Sequence, residues 1–253
     1  MKLILNADDF GLTEAANFGI IDCMRAGTVK STTIMMNQPG TKHAVELYHQ
    51  GLVPEVGLHF TVTSGKPLSD SADVSSLVDD KGYFFDKDVL FNRDDVYIEH
   101  VEKEFYAQYN AAIEAGIDIT HLDSHHFAGV YRPLKQAFIN VSNELGLPVR
   151  RVDNILPGQT RLCVKTPDIF EEGFFAKGAN IEHLKALLLS YKETHPNSTI
   201  EFMCHPANEN TEGLKQLSSY NAKRVEEWQI LTSPSFIDWL QTHDIECVGF
   251  KSL

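Results

Sequence analysis

The chain is short of what several protein classes require. Its four cysteines, Cys23, Cys163, Cys204 and Cys247, are widely spaced and form no Cys-x-x-Cys pair. That argues against a disulfide framework and fits reduced thiols in a cytoplasmic protein. No apolar run approaches the roughly 20 residues that a membrane-spanning helix needs. The apolar part of Met1-Lys2-Leu3-Ile4-Leu5-Asn6 is too short for a signal peptide before Asp8 turns it acidic. Positive charge is scarce too: 22 Lys and Arg against 35 Asp and Glu leave a formal net charge of −13. Nucleic acid and anionic membranes need a basic face to displace counterions, so neither is expected as a partner. Also missing is a Gly-x-Gly-x-x-Gly after the first strand, the mark of a dinucleotide fold. No internal repeat, low-complexity tract or linker divides the 253 residues.

What is present is the composition of a globular protein, with 43% hydrophobic and 23% charged residues and hence a sizeable core. Lys2–Ala7 reads as a buried strand running into Asp8-Asp9-Phe10-Gly11, and Phe18, Ile21 and Met24 carry helical spacing up to Gly27. Ser31–Met36 and Val56–Thr61 read as strands around a helix at Thr41–Gln50. Residues 63–92 are rich in Gly, Pro, Ser and Asp, with one aromatic patch at Tyr83-Phe84-Phe85. A loop of that length is either functional, as a lid or binding loop, or a variable surface excursion. A long amphipathic helix from Ile98 to Gly116 follows, then a strand at Ile119–Asp123, a helix from Leu134 to Gly146 and a fifth strand at Val149–Val152. The stretch to Asn180 carries no clear pattern. Ile181–Tyr191 is helical, Thr199–Cys204 a strand, Asn221–Leu231 and Pro234–Thr242 helices, and Glu246–Phe250 a last strand. Such alternation implies a mainly parallel sheet. The expected fold is α/β, a distorted or incomplete (β/α) barrel in a single domain over residues 1–253, with the 63–92 loop inserted.

Barrel enzymes place their chemistry at the C-terminal ends of strands. Asp8 and Asp9 end the first strand, His59 lies near the end of the third, and His125 and His126 follow the fourth in His121-Leu122-Asp123-Ser124-His125-His126; His205 ends a later one. Each has a bland explanation on its own, as a turn aspartate or a hydrogen-bonded core histidine. Together they bring ligand-type and proton-transfer groups to one face. His43, His49, His100, His183, His195 and His243 fall on predicted helices or their ends, where a solvated or capping role suffices, and His121 reads as a buried structural residue. One Asp and two His suit a catalytic divalent ion with positions open for water and substrate. Such an ion lowers the pKa of its water to about 7 and polarises a carbonyl, so hydrolysis follows. The adjacent carboxylate can accept the water's proton, and His205 can give one to the leaving group. Without a cation, two carboxylates this close should titrate abnormally high.

Beyond these residues, the sequence resembles the YdjC-like carbohydrate deacetylases, a family acting on chito-oligosaccharides and diacetylchitobiose phosphate. The resemblance rests on Asn6-Ala7-Asp8-Asp9-Phe10-Gly11-Leu12, Ser31-Thr32-Thr33, Gly57-Leu58-His59-Phe60, Thr120-His121-Leu122-Asp123-Ser124-His125-His126 and Glu201-Phe202-Met203-Cys204-His205-Pro206. It implies a distorted (β/α) barrel that removes the acetyl group of an N-acetylglucosamine unit. It further implies that Asp9, His59 and His125 hold the ion, with Asp8 as general base and His205 as general acid. The ion so implied is magnesium, whereas imidazole ligands by themselves suit zinc. Phe127 stands where the family often shows a third histidine. His126, Phe127, Tyr131 and Arg132 are the candidate substrate contacts, the aromatic rings for sugar faces and Arg132 for a 6-phosphate. The expected partner is therefore a small oligosaccharide, and a homodimer is expected on base rates alone. Two alternatives stand beside this: another mononuclear metal hydrolase, such as a phosphoesterase or cyclic amidase, and a carbohydrate-binding protein without turnover.

Overall fold

The first strand sets the others in place. β1 (Lys2–Phe10) buries Leu3, Ile4 and Leu5 completely, which leaves it apolar on both faces, as a strand covered from both sides must be. The structure, a computed structural model, describes residues 1–131, 134–151 and 162–253. After β1 come α1 (Glu14–Ala26), β2 (Ser31–Ile34), α2 (Thr41–His49) and β3 (Val56–Phe60). A short α3 (Lys87–Leu90), a long α4 (Ile98–Glu114), β4 (Ile119–Ser124) and α5 (Lys135–Leu145) follow. The remainder holds β5 (Ile169–Glu171), α6 (Ile181–Thr194), β6 (Thr199–Cys204), α7 (Glu212–Leu217), α8 (Ala222–Leu231), α9 (Pro234–Thr242) and β7 (Glu246–Cys247).

The strand order is β4-β3-β2-β1-β6-β5, and every pairing is parallel. β6 runs along one edge of β1 from Lys2 to Ala7. β7 meets β1 at Lys2 and Leu3, while β2 pairs with it from Asn6 onward, so two strands divide the other edge. The sheet also curls. Val149 forms a single bridge to Leu122 at the outer edge of β4, yet its N–H donates to Lys165 O at 2.9 Å, just ahead of β5 at the opposite edge. The result is a single-domain half-barrel, its two edges drawn together without a strand ladder between them among the described residues.

Local chemistry explains the element ends. Thr13 caps α1 by accepting the Ala16 N–H at 3.2 Å, and Gly27 ends it at φ 87°. Outside the sheet, Phe105 of α4 packs at 4.3 Å from Phe60 of β3 and 5.8 Å from Phe138 of α5, centroid to centroid. At Gly57 a Cβ would lie 2.6 Å from His121 O, so only glycine lets β3 and β4 approach there.

Several sequence expectations change. β1 continues through both aspartates to Phe10 instead of ending at Ala7. Val149 makes one bridge and no strand, and Val152 lies outside the described residues. The last strand shortens to Glu246–Cys247 because the chain turns into a 3-10 helix at Phe250–Ser252, where Phe250 stacks on His121 at 3.9 Å. The 63–92 excursion is tied down at its start, where buried Glu104 of α4 accepts the N–H groups of Leu68 and Ser69 at 3.0 and 2.9 Å. Its aromatic patch does not reach the site described below: Phe84 is core, Lys66 covers Tyr83, and Arg93 covers Phe85. No helix among the described residues is long and apolar enough to cross a membrane.

Candidate functional site

The strand ends bring the expected residues together. Asp8 and Asp9 are the last two residues before Phe10 closes β1, His59 is near the end of β3, His125 follows β4 and His205 follows β6. Asp9 takes φ 68°, a left-handed conformation that is strained for a non-glycine residue and turns its carboxylate away from the strand's ordinary alternation. Gly11 makes the sharp exit at φ 97°, where a Cβ would meet Met35 O at 2.8 Å.

Three donor atoms face one another. Asp9 Oδ1 lies 3.2 Å from His59 Nε2 and 2.9 Å from His125 Nδ1, and the two imidazole nitrogens are 3.3 Å apart. Although so close, Asp9 Oδ1 is buried and meets hydrogen-bond geometry with neither ring. One carboxylate oxygen and two imidazole nitrogens are a sound donor set for a divalent cation, and the orphaned oxygen is what such an ion would satisfy. The surrounding residues prepare the set. His59 Nδ1–H donates to Asp123 Oδ1 at 2.7 Å, which leaves Nε2 facing Asp9 and fixes the ring. Burial pulls the His59 pKa down, but the Asp123 charge and hydrogen bond outweigh it and push it up to about 10. In the metal-free protein His59 is therefore protonated, and an ion has to displace that proton.

Two buried arginines, which sequence reasoning missed, reverse the expected behaviour of the paired acids. Arg150 grips Asp8 with both terminal nitrogens, at 2.7 and 2.8 Å, and reaches Asp123 at 3.1 Å and Glu201 at 2.7 Å. Burial would raise Asp8, yet the Arg150 charge and paired hydrogen bonds win and hold it at about 2. Arg224 of α8 binds Asp9 Oδ2 at 2.5 Å. Asp9 is likewise kept well below the carboxylate range against its own burial, first by the Arg224 charge and then by His125. The expectation of an abnormally high titration is thus wrong, because cations from β-edge and helix already balance the pair. The same arginine argues against a second ion: Asp8, His59 and Asp123 also converge, but that set shares His59 with the first, and Arg150 already binds both of its carboxylates.

His205 faces Asp8 across 3.9 Å from Nε2 to Oδ2. Burial lowers it to about 4, so it is neutral near pH 7. Its backbone N–H donates to Glu227 at 2.5 Å, and Glu227 also accepts the Tyr220 hydroxyl. Glu227 itself is raised to about 7 by burial. His121, as expected, is wholly buried; its Nε2 lies 3.0 Å from Asn6 Oδ1, and the Asn6 amide donates to Asp8 at 2.9 Å.

These groups form the floor of a cavity of about 370 Å³. His126, Phe127 and Tyr131 line it as expected, and Phe91, Phe175 and Arg224 line it without having been anticipated. The His126 ring lies tilted against His125, centroids 3.8 Å apart, and is hydrogen-bonded to Thr63 at 2.9 Å; burial lowers it to about 3. Both His126 and Phe127 hold φ 54°, a strained pair beside the donor set. Arg132 lies outside the described residues.

Comparison with known proteins shows relatives over the full length of the chain. A carbohydrate deacetylase of Thermoanaerobacter pseudethanolicus is 36% identical over 253 residues, covering 99% of this chain and 98% of that protein. Carbohydrate deacetylase 1 of Listeria innocua is 34% identical over 256 residues, covering 100% of each. Among solved structures, a protein of Enterococcus faecalis V583, named for a provisional role in cellobiose-phosphate cleavage, superposes with TM-score 0.88 at 29% identity, covering 99% of this chain and 98% of that one. Residues 2–242 match the family described as YdjC-like protein, and the chain belongs to that family.

Proposed function

We propose that the chain is a metal-dependent deacetylase that hydrolyses the N-acetyl group of an N-acetylglucosamine-containing oligosaccharide and releases acetate. The observation that carries this reading is the convergence of Asp9, His59 and His125 at 2.9–3.3 Å, with Asp8 and His205 beside them. The names of the relatives, carbohydrate deacetylases, point the same way. Asp9 Oδ1, His59 Nε2 and His125 Nδ1 would hold the ion, which supplies Lewis-acid polarisation of the acetamide carbonyl and a water of lowered pKa. Magnesium is our choice on family resemblance, with zinc the alternative that two imidazoles favour.

The chain's own groups move the proton. Asp8, held ionised and aimed by Arg150, takes it at Oδ2 as the water oxygen bonds to the acetyl carbon. His205 Nε2, 3.9 Å from that oxygen, is the next acceptor and then donates to the nitrogen as the C–N bond breaks. Each acceptor is a stronger base than the one before, from a carboxylate at about 2 to an imidazole at about 4 and finally the amine. Acid–base help of this kind is worth roughly 10²–10⁴ in rate.

Acetate release from diacetylchitobiose and its 6-phosphate, by metal-stripped protein with and without added Mg²⁺ or Zn²⁺, tests the proposal. Metal-dependent release that disappears in Asp8→Asn supports it. Phosphate release instead of acetate, or no turnover of either sugar with metal bound, would move the reading to another hydrolase.

A further inference from the structure

Two pairs of stacked rings flank the cavity floor, and the chemistry above uses neither. On the His125 side Phe91 and Tyr131 stack with centroids 4.0 Å apart at 9°. On the His205 side Phe175 and Tyr220 stack at 4.3 Å and 28°, and Phe175 lies 5.4 Å from the His205 ring. Phe91, Tyr131 and Phe175 all line the cavity; Phe91 is half-buried against the core, yet Tyr131 is 43% and Phe175 38% exposed. Rings whose purpose was packing would be covered. A flat apolar ring left open at the edge of a polar cavity suits a ligand that is polar at its rim and apolar on its face. A pyranose is such a ligand, because its axial C–H bonds present a weakly positive face to the negative face of the ring.

The chemistry orders the two platforms. The amine set free belongs to the sugar that loses its acetyl group, and it takes its proton from His205. That sugar therefore lies on the His205 side. We propose that Phe175, backed by Tyr220, carries the pyranose being deacetylated, and that Tyr131, backed by Phe91, carries the neighbouring pyranose of the same chain. This assignment rests on the deacetylase reading. It also gives the 63–92 excursion a task, since Phe91, which backs Tyr131, is the residue just after α3 at the foot of that loop.

The test compares kcat/KM for acetate release from N-acetylglucosamine and from its β-linked disaccharide, in wild type, Tyr131→Ala, Tyr131→Leu and Phe175→Ala. The leucine variant keeps apolar bulk without a flat face, so it separates stacking from a packing defect. Both Tyr131 variants should reduce the preference for disaccharide over monosaccharide about tenfold, whereas Phe175→Ala should lower both substrates together. Equal losses on both sugars in the Tyr131 variants, or a monosaccharide rate untouched by Phe175→Ala, would overturn the assignment. Calorimetric titration of the disaccharide into metal-stripped protein reads the platforms without turnover. There Kd should weaken about tenfold in Tyr131→Ala. If wild type released no acetate, the deacetylase reading would fail, and this titration would still decide the platforms: no disaccharide binding, or equal binding in all variants, overturns them.

Discussion

Arg150→Gln removes the cation on which three carboxylates converge. The guanidinium is 2% exposed and lies within 3.1 Å of Asp8, Asp123 and Glu201. Taking one partner out of a buried ion pair costs about 3–5 kcal/mol, because the charges left behind are neither paired nor solvated. In a chain of this size 1 kcal/mol is worth about 2–4 °C, so the variant should melt roughly 6–20 °C lower. The loss depends on pH. Asp8 is depressed from 3.8 to about 2, so the stability it contributes is present above pH 3.8 and lost as pH falls towards 2. Without Arg150 the upward push of burial is opposed by the smaller His59 and His205 charges, so the carboxyl takes a proton at higher pH than in wild type. The gap in melting temperature between wild type and variant should therefore be wide at pH 8 and narrow towards pH 4. The acid limb of the pH–rate profile should rise by about 2 units or more, since the base protonates earlier. Arg150→Lys, which keeps a charge but not the fork, should fall between the two. Thermal melts and rate profiles from pH 4 to 9 decide it. A glutamine variant melting within about 2 °C of wild type, with an unmoved acid limb, would refute the reasoning.

Other perturbations give further checks. Glu227 is raised from 4.5 to about 7, so its contribution is fully present below pH 4.5 and lost as pH rises through 7. Glu227→Gln should therefore gain several degrees of melting temperature relative to wild type at pH 8 compared with pH 4, and a pH-independent difference would count against it. Asp123→Asn weakens the partner that orients His59; calorimetry should show metal affinity falling about 10–100-fold, and unchanged affinity would deny Asp123 that role. Added Mg²⁺ or Zn²⁺ at about 100 times its Kd should stabilise wild type by about 2.7 kcal/mol and His125→Ala much less, as read by thermal melts.

Much of this was legible because parallel α/β sheets concentrate chemistry at strand ends. Asp8, Asp9, His59, His125 and His205 each follow an apolar run, and period and punctuation alone placed them on one face. Arg150 and Arg224 were not legible in the same way. Arg150 sits 142 residues from Asp8, and Arg224 lies 215 from Asp9, on a helix whose pattern offers no reason to single it out. Their effect is tertiary, and it inverted the titration expected of the acids. The aromatics divide likewise. Tyr83-Phe84-Phe85 stands out as a cluster but serves core and surface, whereas Phe91 and Phe175, isolated in the sequence, line the cavity together with Phe127 and Tyr131. The weakest structural expectations fell where strands are shortest, at Val149 and beyond Cys247, because two or three residues carry no period.

The most direct test of the central claim is a stoichiometric titration of metal into stripped protein while acetate release from the disaccharide is followed. The account expects the rate to rise to a plateau at one ion per chain, and expects no rise in Asp9→Asn or His59→Ala. A rate independent of metal, or a plateau at two ions per chain, would contradict it.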